Sequence, residues 1–338
     1  MRKRILELMP VLACLTLVLA TAEAAYATFP GQNGLIAFTQ GDFFNGIPAQ
    51  VFTAKPDGAN QDQVQLPEGI DVEEFSIPVW SPDGSRLLIS HTFRLDNTGQ
   101  CCLPFRPAIV KPDGSEFNLL TITYGPFDMD CGTWSLDQTR ILCGFGGDEP
   151  GIFSVRASDG GDPVRLTTNP YAANDFPADI SPDGTQFLFL RFKPGASPGP
   201  RPFQTQQVAL FVENIDGTGL RQITPYGLAA PHEVAGASWS PDGTEIITEM
   251  KNGRLFVVRT DGTGLSMIHL QTGTTRYFAF QPHWSPDGTR ILFCMFINGG
   301  EGIYTANPAG SDVKKVTFTM DSANIYNGPN WGTHPVTP

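Results

Sequence analysis

The feature that most constrains the fold is a repeated segment in which Trp-Ser-Pro-Asp-Gly precedes a short apolar run. Complete and altered copies begin at Trp80, Trp134, Ile180, Trp239 and Trp284. A copy without the tryptophan stands at residues 32–38, and an isolated Trp331 stands near the C terminus. All five tryptophans of the chain therefore occupy one position of a repeated unit.

Each copy predicts a tight turn followed by a β-strand. In Ser-Pro-Asp-Gly, proline fixes φ at the second position of a type I turn, aspartate suits the third position, and glycine suits the fourth. The run that follows is apolar and rich in β-branched residues, which is typical of a strand. A second strand signal ends in Asp-Gly or a near relative later in each unit, and a short fourth strand follows most of them. Each unit predicts a four-stranded antiparallel meander, with strands A (ending at the tryptophan), B, C and D.

The spacing of the units predicts how they assemble. Successive tryptophan-equivalent positions are 45 to 59 residues apart, and four strands at this period are the signature of a β-propeller. The repeat region begins with a B strand at residues 35–38 and ends with an A strand at Asn330-Trp331. We therefore predict an all-β, six-bladed β-propeller in which the N- and C-terminal strands complete one blade.

The first 27 residues are predicted to be a signal peptide. They begin with three basic residues, continue with an apolar run, and end in Ala-Tyr-Ala, as signal peptides do. Residues 28–338 then form the propeller, with no later apolar run long enough to predict a transmembrane segment. We expect a secreted or periplasmic protein. The net charge of −12 argues against a nucleic-acid partner.

Disulfides can form in an exported protein, and the predicted strand order indicates which cysteines lie close together. If Trp134 lies opposite Arg140 in the A–B hairpin of the third blade, then Cys131 lies opposite Cys143. Cys101 and Cys102 fall in a B–C loop on the same side of the ring, so we expect two disulfides among these four thiols, with all three connectivities open. A zinc site built from the same four cysteines is the alternative. Cys294 is one position out of step with Cys143, which predicts a buried thiol outside any disulfide.

The two sides of the ring differ in sequence. The A–B and C–D turns are short and lie on one side, which we call the turn face. The B–C and D–A connections are longer and lie on the other side, the loop face, where binding residues are usually found. The candidate ligand-binding residues at the channel mouth of this face are Glu74, Asp128, Asp130, Asp175, His232, Glu233, Tyr277, His283 and Tyr326.

Two readings of the acidic candidates remain open. Carboxylates that converge at the channel mouth are suitable ligands for Ca²⁺, and Glu74, Asp128, Asp130, Asp175 and Glu233 are the residues concerned. The alternative is a solvated acidic rim, which is the usual state of surface carboxylates. His283 likewise is either a channel-facing group or a hydrogen-bonded structural histidine.

The motifs favour binding over catalysis. We find no set of nucleophile, base and orienting group, whereas aromatic residues collect in the loops of one face. The sequence therefore predicts a non-catalytic module that binds a protein or peptide. The alternative is a divalent-cation-dependent hydrolase or lyase at the channel mouth, with His232, Glu233 or His283 as its base.

The repeats resemble those of the TolB-type β-propellers, and the same repeat occurs beside the hydrolase domain of prolyl-oligopeptidase relatives. The resemblance covers residues 29–338 and is carried by Trp80–Gly84, Asp183-Gly184, Trp239–Gly243 and Trp284–Gly288. It implies a propeller fold and an exported scaffold that binds a protein or peptide at its channel face. TolB has an α/β domain ahead of its propeller, and the prolyl-oligopeptidase relatives have a catalytic domain. We expect a counterpart of neither in this chain.

Overall fold

The computed structural model describes residues 31–42, 47–72, 77–93, 106–122, 129–145, 150–171, 173–193, 207–228, 236–317 and 325–333. The predicted signal peptide lies outside these ranges. Within them the chain consists of strands and turns without a helix, and accordingly no helix there is suited to crossing a bilayer.

The strands form six antiparallel sheets, each a blade of the predicted propeller. Blade 1 contains β25 (Ile325–Thr333), β1 (Asn33–Asp42), β2 (Ile47–Ala54) and β3 (Asp62–Gln63). Blade 2 contains β4 (Ile70–Val72), β5 (Val79–Trp80), β6 (Leu87–Phe93), β7 (Arg106–Val110) and β8 (Asn118–Leu119). Blade 3 contains β9 (Met129–Trp134), β10 (Arg140–Phe145), β11 (Gly151–Arg156) and β12 (Val164–Arg165).

The remaining blades repeat the same order from strand A to strand D. Blade 4 contains β13 (Asp175–Ile180), β14 (Gln186–Lys193), β15 (Gln207–Asn214) and β16 (Arg221–Gln222). Blade 5 contains β17 (Ala237–Trp239), β18 (Glu245–Met250), β19 (Arg254–Arg259) and β20 (Ser266–Met267). Blade 6 contains β21 (Tyr277–Trp284), β22 (Ile291–Ile297), β23 (Gly300–Ala306) and β24 (Lys314–Lys315).

The two ends of the repeat region meet in blade 1. Strand β25 pairs with β1 in antiparallel register, so that Trp331 lies opposite Ile36 and Asn330 lies opposite Ala37. The C-terminal strand is thus the inner strand of a blade whose other strands come from the N-terminal part of the chain. The predicted closure is confirmed, and it leaves the ring without an open sheet edge at its seam.

The Ser-Pro-Asp-Gly segments form the predicted β-turns. In the first copy, the N–H of Gly84 donates to the carbonyl of Ser81 at 2.8 Å. Asp83 Oδ1 accepts from the hydroxyl of Ser81 at 2.7 Å and from the N–H of Ser85 at 3.0 Å. The same turn hydrogen bond closes the copies at Ser135, Ser181, Ser240 and Ser285. The repeated aspartates therefore stabilise the turns from within.

The tryptophans pack between blades. Trp239 lies in one apolar cluster with Leu188 and Leu210 of blade 4, and Trp134 lies in another with Leu88 and Ile109 of blade 2. The side chains of four of the five tryptophans are at most 1% exposed, and that of Trp284 is 5% exposed. Large aromatic side chains bury much area, so this repeated contact is a main part of the core between neighbouring blades.

The inner strands carry β-bulges shortly before the tryptophan position. In blade 3 the register shifts between the pair Thr133–Leu142 and the pair Cys131–Cys143, which leaves Gly132 as the extra residue. Similar shifts interrupt β13, β21 and β25. The expectation that Trp134 faces Arg140 is wrong, because Trp134 lies opposite Ile141. The bulge compensates for this one-residue error and restores the predicted pairing of the two cysteines.

One predicted disulfide joins Cys131 to Cys143. Cys101 and Cys102 lie outside the described residues, so the second disulfide stays a prediction. Cys294 is buried and takes no part in a disulfide. It packs with Leu292, whereas Cys143 packs with Ile141 and Trp134. The predicted difference in strand face is therefore confirmed.

Glycines let neighbouring inner strands approach closely. A Cβ on Gly236 of blade 5 would lie 2.5 Å from the Cα of Gln281 in blade 6, and one on Gly132 would lie 2.2 Å from the carbonyl oxygen of Pro177. Both obstacles are backbone atoms, which cannot move without shifting a strand. The narrow spacing around the channel therefore depends on the absence of a side chain at these positions.

We predict that Gly236→Ala lowers the free energy of unfolding by about 1–3 kcal/mol, the usual cost of overpacking. The matched control is Gly300→Ala, because a Cβ at Gly300 meets no atom within 4 Å. Urea denaturation of both variants measures the difference. Equal stability of the two variants would contradict the close approach of blades 5 and 6.

We also predict that replacing Cys131 and Cys143 together by serine destabilises the protein by roughly 3 kcal/mol, the loop-closure value for a short loop. The two cysteines are 12 residues apart. Thermal melting with and without a reductant checks this, since reduction should lower the melting temperature of the wild-type protein more than that of the variant. A wild-type melting temperature that is insensitive to reduction would count against the disulfide.

Candidate functional site

The inner strands enclose a central channel with a cavity of about 70 Å³. Its wall takes residues from all six blades, mostly at or next to the bulges of the inner strands. The residues that line it with polar side chains are Thr133, Asp179, Gln281, His283 and Asn330. A cavity of this size accommodates several water molecules or one small polar group.

A belt of hydrogen bonds links neighbouring blades around this channel. Its members are the residues directly before the tryptophan-equivalent positions, namely Val79, Thr133, Asp179, Ser238, His283 and Asn330. Five of them reach the next blade, and the contacts follow one another from blade 4 through blades 5, 6, 1 and 2 to blade 3. The belt therefore ties the ring together at its narrowest part.

Asp179 connects blade 4 to blade 5. Its Oδ2 accepts from the N–H of Trp239 at 2.8 Å, and its Oδ1 accepts from the N–H of Ile180 at 2.8 Å. The side chain is 4% exposed. Burial raises the pKa of Asp179 to about 7, against the lowering effect of these hydrogen bonds and one from Ser238. This carboxyl group is consequently poised between its neutral and charged forms near neutral pH.

His283 and Asn330 connect blades 6, 1 and 2. The Oδ1 of Asn330 accepts from the N–H of Trp80 at 3.1 Å, which directs its amide nitrogen at Nε2 of His283, 3.0 Å away. Nδ1 of His283 then donates to the carbonyl of Trp284 at 2.9 Å. Burial lowers the pKa of His283 to about 4. A neutral, Nδ1-protonated imidazole satisfies these contacts, so His283 is a hydrogen-bonded histidine that also lines the channel.

Gln281 and Glu249 form a second link between blades 5 and 6. Gln281 lies in the bulge of β21 with a φ of 50°, and its N–H donates to the carboxyl group of Glu249. The Oε1 of Gln281 accepts from the N–H of Gly328 at 2.7 Å. Its Nε2 is buried without a hydrogen-bond partner in the part of the chain that the structure describes. Burial raises the pKa of Glu249 to about 8, so this acid is mostly neutral at physiological pH.

Asp175 lies inside blade 4. It is fully buried and forms a bidentate ion pair with Arg191, with Nη2–Oδ2 and Nε–Oδ1 distances of 2.7 and 3.0 Å. Thr167 and Asn169 donate to the same carboxylate at 2.8 and 3.0 Å. Every carboxylate oxygen of Asp175 thus has two internal donors, and a buried ion pair with all its groups satisfied holds the start of the inner strand in place.

Three of the other predicted site residues lie in inner strands, and four lie outside the described ranges. Tyr277 begins β21 at the loop face, and the guanidinium of Arg254 lies 4.1 Å above its ring. Asp130 and Tyr326 belong to β9 and β25, which places their backbones in inner strands. The residues outside the described ranges are Glu74, Asp128, His232 and Glu233. Among the predicted residues whose side chains the structure describes, His283 is the one that lies in the channel wall.

Sequence reasoning missed Asp179, Ser238, Asn330, Glu249 and Gln281. A signal for the first three was present, because the residue before the tryptophan position is polar in five of the six units. A polar residue that recurs within an otherwise apolar strand indicates a shared hydrogen-bonding role. No such signal marks Glu249, which follows the apolar run of a B strand.

Aromatic side chains form a ladder on the loop face of blade 6. The ring of Phe280 lies 5.9 Å from that of Phe278 and 5.7 Å from that of Phe296. Phe280 is buried, but Phe278 and Phe296 are 39% and 46% exposed. We call these three residues the aromatic ladder. The ring of Phe278 also covers Gly253 in the B–C turn of blade 5.

No cluster of three or more His, Cys, Asp or Glu side chains suited to a metal ion is found among the described residues. Of the acidic residues predicted at the channel mouth, Asp175 is buried in blade 4. The side chains of Glu74, Asp128, Asp130 and Glu233 lie outside the described part of the chain. The Ca²⁺ hypothesis stays a prediction for those residues.

No family model and no curated protein matches the sequence. Solved structures do match. TolB from Acinetobacter baumannii is similar with a TM-score of 0.60 and 14% identity, over 90% of this chain and 68% of that one. A chain of a nidogen/laminin complex is similar with a TM-score of 0.61 and 7% identity, over 88% and 98%. An oligogalacturonate lyase in complex with manganese is similar with a TM-score of 0.51 and 14% identity, over 85% and 74%.

The chain has the propeller fold of TolB. This confirms, for the fold, the TolB-type resemblance inferred from the repeats. At such low identities similarity concerns the fold alone, and one fold carries several functions. The similar structures indeed include a protein from a complex and an enzyme. Function must therefore be argued from the residues of this chain.

We predict that Glu249→Gln flattens the dependence of stability on pH above about pH 6.5. The folded-state pKa of Glu249 is raised from 4.5 to about 8, so its stabilising contribution is present at low pH and lost as the pH rises through about 8. His283, with a pKa lowered from 6.5 to about 4, changes stability only below about pH 6.5.

Between about pH 6.5 and 9 the wild-type protein should lose about 2 kcal/mol through Glu249, at 1.36 kcal/mol per pKa unit. The variant should keep the smaller losses that Asp179 and Glu213 cause in the same direction. Urea denaturation at several pH values measures both slopes. Identical slopes would show that Glu249 is charged in the folded protein.

Proposed function

We propose that this chain is an exported, non-catalytic module that binds a protein or peptide partner on its loop face. The observation that carries the proposal is the aromatic ladder, where Phe278 and Phe296 are exposed beside Tyr277 and Arg254. Clustered exposed aromatic side chains mark interaction sites, and aromatic and arginine side chains dominate the energetics of protein interfaces.

The architecture suits such a role. The ladder lies at the start of β21 and the end of β22, where Phe278 and Phe296 are directly paired across two strands. Rings held on strands lose little freedom when a partner binds, so less of the interaction energy is spent on ordering them. The turn face is less suited to binding a partner, since its turns are short and closed by internal hydrogen bonds.

His283, the candidate base that the structure describes, takes part in internal contacts, and so does the ligand-binding candidate Asp175. His283 accepts from Asn330 and donates to Trp284, while Asp175 is bound to Arg191, Thr167 and Asn169. A general base needs a nitrogen or oxygen that can reach a substrate proton. Binding therefore explains the described residues better than the alternative hydrolase or lyase activity.

Export is part of the proposal. The disulfide between Cys131 and Cys143 fits an oxidising compartment, and the signal peptide predicted at residues 1–27 would bring the chain there. A secreted or periplasmic location follows. One structure with this fold comes from the nidogen/laminin complex of two proteins, which supports a propeller as a protein-binding module.

The proposal is tested by selecting peptides from a displayed library on residues 28–338, and by measuring their affinities for the wild-type protein and for variants. We predict that Phe278→Ser with Phe296→Ser weakens binding of the selected peptides about tenfold or more, as the loss of a central aromatic contact does. Phe296→Ser alone should give part of this loss, and its fold can be checked by thermal melting.

The matched control is Leu220→Ser with Leu265→Ser, which removes two exposed apolar side chains at the C–D turns of the turn face, 49% and 37% exposed. This control should bind the peptides as the wild-type protein does. Selection of no peptide, or peptides that bind the ladder variant as well as the control, would overturn the proposal.

A further inference from the structure

A cluster of lysine and tyrosine side chains lies on the loop face beside blades 4 and 5. The ammonium group of Lys193 lies 4.0 Å from the ring centroid of Tyr226, and Tyr171 meets the same ring edge to face at 6.2 Å. Tyr171 and Leu228 are 46% and 39% exposed. Together with Lys251 these residues form what we call the rim patch.

Lys251 joins the patch from the B–C turn of blade 5. Its N–H donates to the carbonyl of Leu228 at 3.1 Å. Its ammonium nitrogen lies 3.8 Å from the point that a Cβ on Gly227 would occupy. The two lysines therefore flank the segment 226–228 from neighbouring blades, and Gly227 leaves the space between them open.

The donors of this patch lack acceptors. Within the described part of the chain, neither Lys193 nor Lys251 has a carboxylate within ion-pair distance. The hydroxyl of Tyr226 is buried without a hydrogen-bond partner among the same residues. Burial, together with the nearby Tyr171, raises the pKa of Tyr226 to about 12, so this hydroxyl stays a neutral donor.

The charge beneath the patch is already balanced. Arg191 lies over the rings of Phe189 and Phe211 and is bonded to Asp175 through two hydrogen bonds. Arg191 and Asp175 cancel, which leaves the ammonium groups of half-buried Lys193 and exposed Lys251 as the cationic groups of the patch. A cationic patch is unusual in a chain whose net charge is −12. The exposed carboxylates of Asp57, Asp113, Asp216 and Asp261 lie in turns on the opposite face.

We propose that the rim patch binds an acidic segment of the protein partner, in which Asp or Glu side chains alternate with apolar ones. Its carboxylates would pair with Lys193 and Lys251, while its apolar side chains would pack on Tyr171 and Leu228. Charge complementarity selects this occupant, because two cations that have no carboxylate partner among the described residues favour an anionic partner and reject a basic one. The inference rests on the proposed function and specifies its partner.

The rim patch and the aromatic ladder belong to one continuous surface. The turn that carries Lys251 continues into Gly253, which lies under the ring of Phe278, and into Arg254, which is bonded to the carbonyls of Tyr277 and Thr275. An extended segment can therefore contact the lysines and the phenylalanines together. The carboxylates set its position, and the apolar contacts at the ladder contribute most of the affinity.

The test uses a short synthetic peptide in which Glu alternates with Leu and Phe, a matched peptide with Gln in place of Glu, and polygalacturonate as an acidic polymer of another class. Fluorescence anisotropy measures binding to residues 28–338 at low and high salt. The Glu peptide should bind more tightly than the Gln peptide. Its affinity should fall with salt, since exposed ion pairs are screened.

Lys193→Gln with Lys251→Gln should weaken binding of the Glu peptide about tenfold and remove its advantage over the Gln peptide, as the loss of two interfacial charge pairs does. Lys314→Gln with Lys315→Gln makes the same charge change on the exposed strand β24 and should bind as the wild-type protein does.

Equal binding of the Glu and Gln peptides, an unchanged affinity of the Lys193/Lys251 variant, or binding of polygalacturonate alone would overturn the inference. These outcomes are separable from a failure of the proposed function. Library peptides that need Phe278 and Phe296 but not the two lysines refute only the acidic partner. If no peptide of any kind binds, both proposals fail.

Discussion

The whole structure depends on the hydrogen-bonded contact between inner strands at the centre of the ring. A propeller blade cannot bury both of its faces alone, so each needs neighbours at a fixed distance. Here that distance is set by two features of the inner strands, close to the tryptophan positions. Gly132 and Gly236 let the backbones approach, and Asp179, His283 and Asn330 then hydrogen-bond to the next blade. The buried tryptophans fill the space that remains between the sheets.

This constraint explains why the polar groups of the channel wall belong to the scaffold. Asp179 and Glu249 have raised pKa values, and His283 a lowered one, since burial disfavours the charged form of each. Glu249 and His283, held mostly neutral in this way, stabilise strand contacts at little electrostatic cost. Exposed aromatic and cationic side chains stand instead at the loop face of blades 4 to 6. Recognition is therefore separated from the part of the ring that must stay rigid.

Much of the fold could be predicted because its signals are local. The Ser-Pro-Asp-Gly turns and the tryptophan spacing predict blade number and closure without any knowledge of contacts. The bulges were missed, since an extra backbone residue such as Gly132 leaves no compositional trace, and the expected register at Trp134 was therefore wrong by one residue. Asp175 was expected at the channel mouth, but its ion pair with Arg191 holds it inside the blade. Arg191 stands within the otherwise apolar run of strand β14, so no sequence signal marks this ion pair. Phe296 lies near the end of an apolar run that is typical of a buried strand, so its exposure could not be predicted from the sequence.

The most direct test of this account is hydrogen exchange at the seam of the ring, measured by mass spectrometry on β25 and β1. If Asn330 and Trp331 close the ring as the inner strand of blade 1, their amides should exchange as slowly as those of the inner strand β21 in blade 6. Rapid exchange of the 325–333 segment, while β21 stays protected, would mean that the ring is open at its seam and would contradict the central claim.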